Sequence, residues 1–194
     1  MHRFAGYTVC MSTAGVSEGR FVVPEIVSSH FHLRKGDAVA DFGAGTGYFI
    51  PHLSRMVGTD GRVFACEIQK NLVETITALV REKRLSNVEV LWCDFEASGG
   101  LKLRDSSIDV GVLVNTLFQI EQKDAAFEEF ARTIRSGGKL FVIDWTSSFA
   151  GLGPPASHVV TADDVKGLAE SHRFVFERSF DAGHHHYGLA FRKL

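Results

Sequence analysis

One stretch limits what this chain can fold into: Val39-Ala40-Asp41-Phe42-Gly43-Ala44-Gly45-Thr46-Gly47-Tyr48-Phe49-Ile50. It opens as a short apolar run of the kind that forms a strand buried on both faces. Three glycines at alternate positions follow, and then an amphipathic segment. Glycine lets a backbone turn tightly and approach a ligand with no Cβ between them. The helix behind such a turn is expected to offer unpaired N–H groups and the positive end of its dipole. Strand, glycine turn and helix in that order form a place for a nucleotide-like ligand.

The rest of the chain repeats the alternation. Strands are expected at 38–42, 62–67, 88–93, 108–114 and 139–145, and helices at 21–31, 48–57, 69–84, 123–135 and 161–171, with Ser136-Gly137-Gly138 closing the fourth helix as glycine does at helix ends. Thr161 is placed to cap the last helix. Residues 174–180 and 187–191 read as a closing antiparallel pair. The fold class is therefore α/β, a Rossmann-like doubly wound sheet, mostly parallel with a C-terminal antiparallel strand. At 194 residues one domain is the default. It is assigned to residues 21–194, and residues 1–20 are read as a flexible leader or lid, with Met11 an alternative natural start. No run approaches the length of a membrane span. A net charge of −2 gives no field to attract nucleic acid or an anionic membrane. Cys10, Cys66 and Cys93 lack zinc-type spacing and suit a reducing cytoplasm, and the latter two fall at strand ends as small buried hydrophobes.

In a sheet of this kind ligands bind beyond the C-terminal strand ends. That rule places Asp41, Glu67, Asp94, Asn115 and Asp144 on one rim. The glycine turn is not a dinucleotide fingerprint, because Tyr48 stands where a third glycine is needed, and no Gly-Lys-Ser/Thr follows it. Asp41 ahead of the turn opposes a pyrophosphate and favours a cation or hydroxyl. A carboxylate such as Glu67 accepts two hydrogen bonds from a ribose diol. Asp94 can accept from an exocyclic amine, with Phe95 or Ile68 against the adenine face. Asn115 offers a donor and an acceptor at the amino-acid end. Together these suit S-adenosylmethionine, an adenosine with an amino-acid tail.

With those residues in view, the chain resembles the class I S-adenosylmethionine-dependent methyltransferases, in particular the small type 11 and ubiquinone-biosynthesis-like domains. Asp41-Phe42-Gly43-Ala44-Gly45-Thr46-Gly47 is similar to their first motif, Phe64-to-Ile68 to their acidic second-strand end, and Leu91-to-Phe95 to their adenine-side motif. Ile108-to-Asn115 resembles their fourth strand and Arg135-to-Leu140 the turn into the fifth. The resemblance implies that Gly43, Ala44, Gly45, Thr46 and Gly47 line the methionine end, that Glu67 holds the ribose and Asp94 the adenine. A dehydrogenase and a non-catalytic S-adenosylmethionine-binding module in a protein complex are the competing readings. The first is disfavoured by Tyr48, the second by the intact acids.

The acceptor side is less defined. The run Asn115-Thr116-Leu117-Phe118-Gln119 lacks the histidine that many relatives carry after the fourth strand. Asn-Pro-Pro-Tyr, the signature of amino-directed nucleic-acid methyltransferases, is absent, which argues against a nucleobase amine. Asp144 is a candidate base or substrate anchor, or else a rim carboxylate bonded to backbone. His158, after Pro154-Pro155, is a second catalytic candidate. His184-His185-His186 has no Cys or carboxylate neighbour and reads as edge-strand surface, with no metal expected. Phe21, Phe31, Phe118 and Phe149 could form an apolar mouth. Only residues 1–30 and 146–160 are spare to build a substrate lid. A small-molecule acceptor in the cytoplasm is the expectation, with the oligomeric state open and a homodimer the assembly considered.

Overall fold

In a computed structural model that describes residues 22–148 and 153–194, β1 (Ala38–Phe42) is an interior strand of a seven-stranded sheet. The leader, Met11, Cys10, Phe21 and Phe149 lie outside the described residues. The other strands are β2 (Arg62–Glu67), β3 (Val88–Trp92), β4 (Ile108–Val114), β5 (Ile134–Trp145), β6 (Phe174–Asp181) and β7 (His186–Lys193). Their order is β3-β2-β1-β4-β5-β7-β6. The first five are parallel, and β7 pairs antiparallel with both β5 and β6. Strand order reverses between β1 and β4, so the crevice at their C-terminal ends is where a ligand fits such a sheet.

Helices cover both faces because the central strands are apolar on both faces. On one side α1 (Pro24–Val27), α2 (Ile50–Val57) and α3 (Lys70–Glu82) bury Val27, Ile50, Leu53, Val57 and Ile76 against Val39, Val63, Ala65 and Val112. On the other, α4 (Lys123–Thr133) and α5 (Ala162–Ser171) bury Phe127, Phe130, Val165 and Ala169 against Ala40, Phe42, Leu140 and Val142. Phe42 and Phe130 stack with centroids 4.3 Å apart. Each Val, Leu, Ile or Phe side chain so taken out of water stabilises the fold by roughly 1.5–3 kcal/mol before entropy is counted. Thr161 caps α5 as expected, in a reciprocal box with Asp164.

Three expectations are corrected. Ser136-Gly137-Gly138 does not end α4: the chain turns extended at Ile134, which already pairs with Ile108, and the glycines form the irregularity before pairing resumes at Val110↔Lys139. The first helix is one α-turn continued by a 3-10 turn over Ser28–Phe31. The three histidines are not edge-strand surface, because the hairpin inserts β7 between β5 and β6. His184 and His185 sit in the connecting turn, while His186 is buried with its ring 4.3 Å from that of Trp145. Cys66 and Cys93 are buried free thiols, as read.

Candidate cofactor site

The glycine turn is built by its neighbours. The Gly43 and Ala44 N–H groups both donate to the Cys66 carbonyl, at 2.9 and 3.0 Å, which ties the turn to β2. Gly43 has φ +81°, and a Cβ there would lie 2.5 Å from the Thr116 side chain, whose hydroxyl donates to the Gly43 carbonyl at 3.3 Å. Gly45 has φ +57°, and among the described residues nothing lies within 4 Å of where a Cβ would stand. One glycine is thus required by packing within the protein, and the other leaves a cradle that a ligand can enter. Thr46 and Tyr48 are exposed beside it.

The helix behind the turn does not supply free donors. Ile50 N–H donates to Gly47, those of His52 and Leu53 donate to Phe49, and Pro51 has none. The expectation of an open helix N-terminus is therefore corrected. The turn consumes those donors, which fits the absence of a phosphate motif.

The acids occupy the rim in the expected order, in very different states. Glu67 is 5% exposed. Its Oε2 accepts the Gly45 N–H at 2.9 Å and its Oε1 accepts those of Ile68 and Gln69, each at 2.9 Å. Asp41 is also buried, and among the described residues its side chain has no hydrogen-bond donor. Burial, and then the Glu67 charge, push its carboxyl up to about 7. Asn115, at φ +53°, donates its backbone N–H to Ile143, while its buried side-chain Oδ1 has no partner among the described residues. Asp94 is exposed, its Oδ1 accepting the Glu96 N–H at 3.0 Å. Ile68 is half-buried next to Glu67. Phe95, expected on the adenine face, is instead in the core with its ring 5.4 Å from Phe130, because the chain after β3 turns inward onto α4.

Of the two catalytic candidates, Asp144 is engaged with backbone and His158 stands apart on the surface. Asp144 is 1% exposed; Oδ2 accepts the Leu117 N–H at 2.9 Å and Oδ1 that of Trp145 at 2.8 Å. Burial pushes its carboxyl up to about 6, against the pull of those N–H groups and of Phe118. Of the two readings open for Asp144, the geometry supports the carboxylate bonded to backbone. His158 is exposed on a 3-10 turn, Ala156–His158. Sequence reasoning passed over Trp92, 49% exposed at the end of β3 with the Lys70 and Lys102 ammonium groups 4.9 and 4.7 Å from its ring and its indole N–H on the Ile68 carbonyl. Alternation marked it as a strand residue and gave no signal of its exposure.

Among the described residues, three features fit S-adenosylmethionine: the open space at Gly45, the Asp41 carboxyl without a hydrogen-bond donor and the orphan Oδ1 of Asn115. A seven-stranded sheet of this order with this rim defines a class I S-adenosylmethionine-dependent methyltransferase. The chain belongs to the family described as "Methyltransferase domain", whose model matches residues 40–142. It is 26% identical over 159 residues to the ubiquinone/menaquinone biosynthesis C-methyltransferase UbiE of Pseudomonas putida, covering 75% of this chain and 59% of that protein. The counterpart from Chromobacterium violaceum is 29% identical over 133 residues, 66% of this chain and 53% of its own length. The chain thus spans little more than half the length of these curated relatives. Among solved structures, a SAM-dependent methyltransferase from Aquifex aeolicus is 29% identical with a TM-score of 0.81, covering 88% of this chain and 89% of that one. A geranyl diphosphate C-methyltransferase from Streptomyces coelicolor shares the fold, with a TM-score of 0.73 at 13% identity over 88% and 78% of the two chains. No helix among the described residues is long and apolar enough to cross a membrane.

Proposed function

We propose that this chain transfers a methyl group from S-adenosylmethionine to a small-molecule acceptor by in-line displacement, working in the cytoplasm. The single observation that carries the reading is the buried Asp41–Glu67 pair at the open glycine turn. Bound there, the cofactor supplies a methyl group made electrophilic by its sulfonium. Asp41 receives the ammonium of the methionine tail, and the open side of Gly45 admits that tail. Glu67 turns its carboxylate to the ribose, giving up or sharing the Gly45 N–H. Asn115 offers its Oδ1 at the same end, and Asp94 accepts from the adenine amine. Methyl transfer needs water kept away and reactants aligned more than it needs a proton acceptor. Asp144 then serves the fold by holding the 117–119 turn and takes no proton in the reaction.

The relatives named for ubiquinone and menaquinone biosynthesis make quinone precursors the first acceptors to try, with methylation at carbon. Titration calorimetry with S-adenosylhomocysteine, S-adenosylmethionine and NAD tests the cofactor side. Micromolar affinity for the first two is expected, and NAD affinity without a response to S-adenosylhomocysteine would falsify the reading. A screen of labelled S-adenosylmethionine against a metabolite extract identifies the acceptor. Binding without transfer to any acceptor supports the non-catalytic module instead.

A further inference from the structure

The connection from β3 to β4 carries Asp94, the residue proposed above for the adenine amine, and it is held from beneath by two side chains of α4. Glu129 is 3% exposed. Its Oε1 accepts the Gly99 N–H at 2.9 Å and Arg132 Nε at 2.8 Å; its Oε2 accepts the Leu101 N–H at 3.2 Å and Arg132 Nη2 at 2.8 Å. The four acceptor positions of a carboxylate are thereby filled. Arg132 continues the grip, its Nη1 donating to the Leu103 carbonyl at 2.8 Å and to Asp105 at 2.7 Å.

What is gripped bears directly on Asp94. The Asp94 carbonyl accepts the Ala97 N–H at 3.3 Å, and the Ala97 carbonyl accepts that of Gly100 at 2.9 Å. Gly100 sits so close that a Cβ on it would lie 1.8 Å from the Asp94 oxygen. The segment 94–101 is thus a double turn whose far side is bolted to Glu129 and whose near side presents the Asp94 carboxylate. Phe95 against Phe130, and the Gln122 N–H on Glu96 at 2.7 Å, fix it laterally to the same helix. Burial pushes the Glu129 carboxyl up, but the Arg132 fork and the two N–H donors outweigh it and hold it below the usual range. A buried ionised pair is costly to desolvate and contributes geometry more than stability.

We infer that Glu129 and Arg132 are positioning residues for adenine recognition, fixing the loop so that Asp94 meets the exocyclic amine. The inference rests on the cofactor reading given above. It predicts that loosening the grip costs base discrimination and not merely overall affinity.

The test compares calorimetric affinities for S-adenosylhomocysteine and for its inosine analogue, in which a carbonyl replaces the amine. It uses the wild type, Glu129→Gln, Arg132→Lys and, as a control, Lys193→Met. Lys193 donates to the Ala131 and Ile134 carbonyls at the end of α4 and makes no hydrogen bond to the segment 94–101. The wild type is expected to prefer the adenosine ligand about tenfold or more, the worth of a hydrogen bond to a charged group. Glu129→Gln should lose about tenfold in affinity for that ligand and most of the preference, whereas Lys193→Met should lower the melting temperature and keep both. If Glu129→Gln does not fold, Arg132→Lys, which keeps the charge and loses the fork, carries the same expectation. Full affinity and preference in these variants overturn the inference alone. So does weaker binding with the preference intact, which would make the pair a fold-stabilising bridge. A wild type that binds neither ligand, or both equally, overturns the adenine reading and this inference with it.

Discussion

The Glu67 carboxylate accepts the Gly45 N–H at 2.9 Å, so the acid at the end of β2 and the middle of the glycine turn are one hydrogen-bonded unit. Three of its four acceptor positions are occupied by backbone N–H groups of residues 45, 68 and 69. The site is therefore pre-shaped by the residue proposed to bind the ribose.

Glu67→Ala removes both functions. Affinity for S-adenosylhomocysteine should fall by about a hundredfold or more, corresponding to the roughly 1.5–3 kcal/mol of each lost bond to a charged group. Three backbone donors also lose their acceptor, so the melting temperature of the free protein should drop. Calorimetry and thermal unfolding on the same preparations check the two effects. Unchanged affinity would remove Glu67 from the ribose site.

Asp41 makes binding pH-dependent. Its carboxyl titrates at about 7 in the free protein, raised by burial and by Glu67. A ligand ammonium requires the ionised form, so below about pH 7 binding must expel a proton. Affinity should rise up to tenfold per pH unit until about pH 7 and then level off. Stability of the free protein runs the other way. Between the ordinary carboxylate range and about 7 the folded state binds more protons than the unfolded state, so unfolding free energy falls as pH rises across that window. Asp144, raised to about 6, adds to the same slope. The stabilisation conferred by S-adenosylhomocysteine should thus be larger at pH 8 than at pH 5.5. Asp41→Asn should abolish most of the pH dependence of affinity.

The sheet and the rim acids were legible because both rest on strong local rules. Continuous apolar runs mark strands buried on both faces, and polar residues at their ends mark the rim. Bond partners were not legible. Glu67 bonds Gly45 across 22 positions and Glu129 bonds Gly99 across 30, and no periodicity reports such pairings. Phe95 illustrates the limit in the other direction. An aromatic residue beside a rim acid invites a ligand contact, yet Phe130 on α4 claims it for the core. Asp144 was readable as a rim acid, but only the fold shows its oxygens on Leu117 and Trp145.

Asp144→Asn separates those roles. If the carboxylate holds the turn, the amide offers one acceptor where two N–H groups need one each, and a donor then faces a donor. A loss of about 1–3 kcal/mol in unfolding free energy is expected, read by denaturant titration. Turnover per folded enzyme should change little once an acceptor is found. Collapse of kcat with stability intact would make Asp144 the base.

Two glycines two residues apart should respond oppositely to the same methyl group. At Gly43 the new Cβ collides with Thr116 at 2.5 Å and the backbone sits at φ +81°, so Gly43→Ala forces the turn off β4. A loss of about 2 kcal/mol or more in stability is expected from strain and overpacking together. At Gly45 nothing among the described residues lies within 4 Å and φ is +57°, which costs an L-residue about 1 kcal/mol. Gly45→Ala should therefore fold with a modest drop in melting temperature. Its methyl, however, projects into the cradle proposed for the methionine tail, so S-adenosylhomocysteine affinity should fall by about tenfold or more. Thr116→Ser, which deletes the Cγ2 nearest the Gly43 Cβ, should recover part of the stability of Gly43→Ala and none of the affinity of Gly45→Ala. Equal behaviour of the two glycine variants in both assays would mean that the open side of the turn faces solvent and not the cofactor.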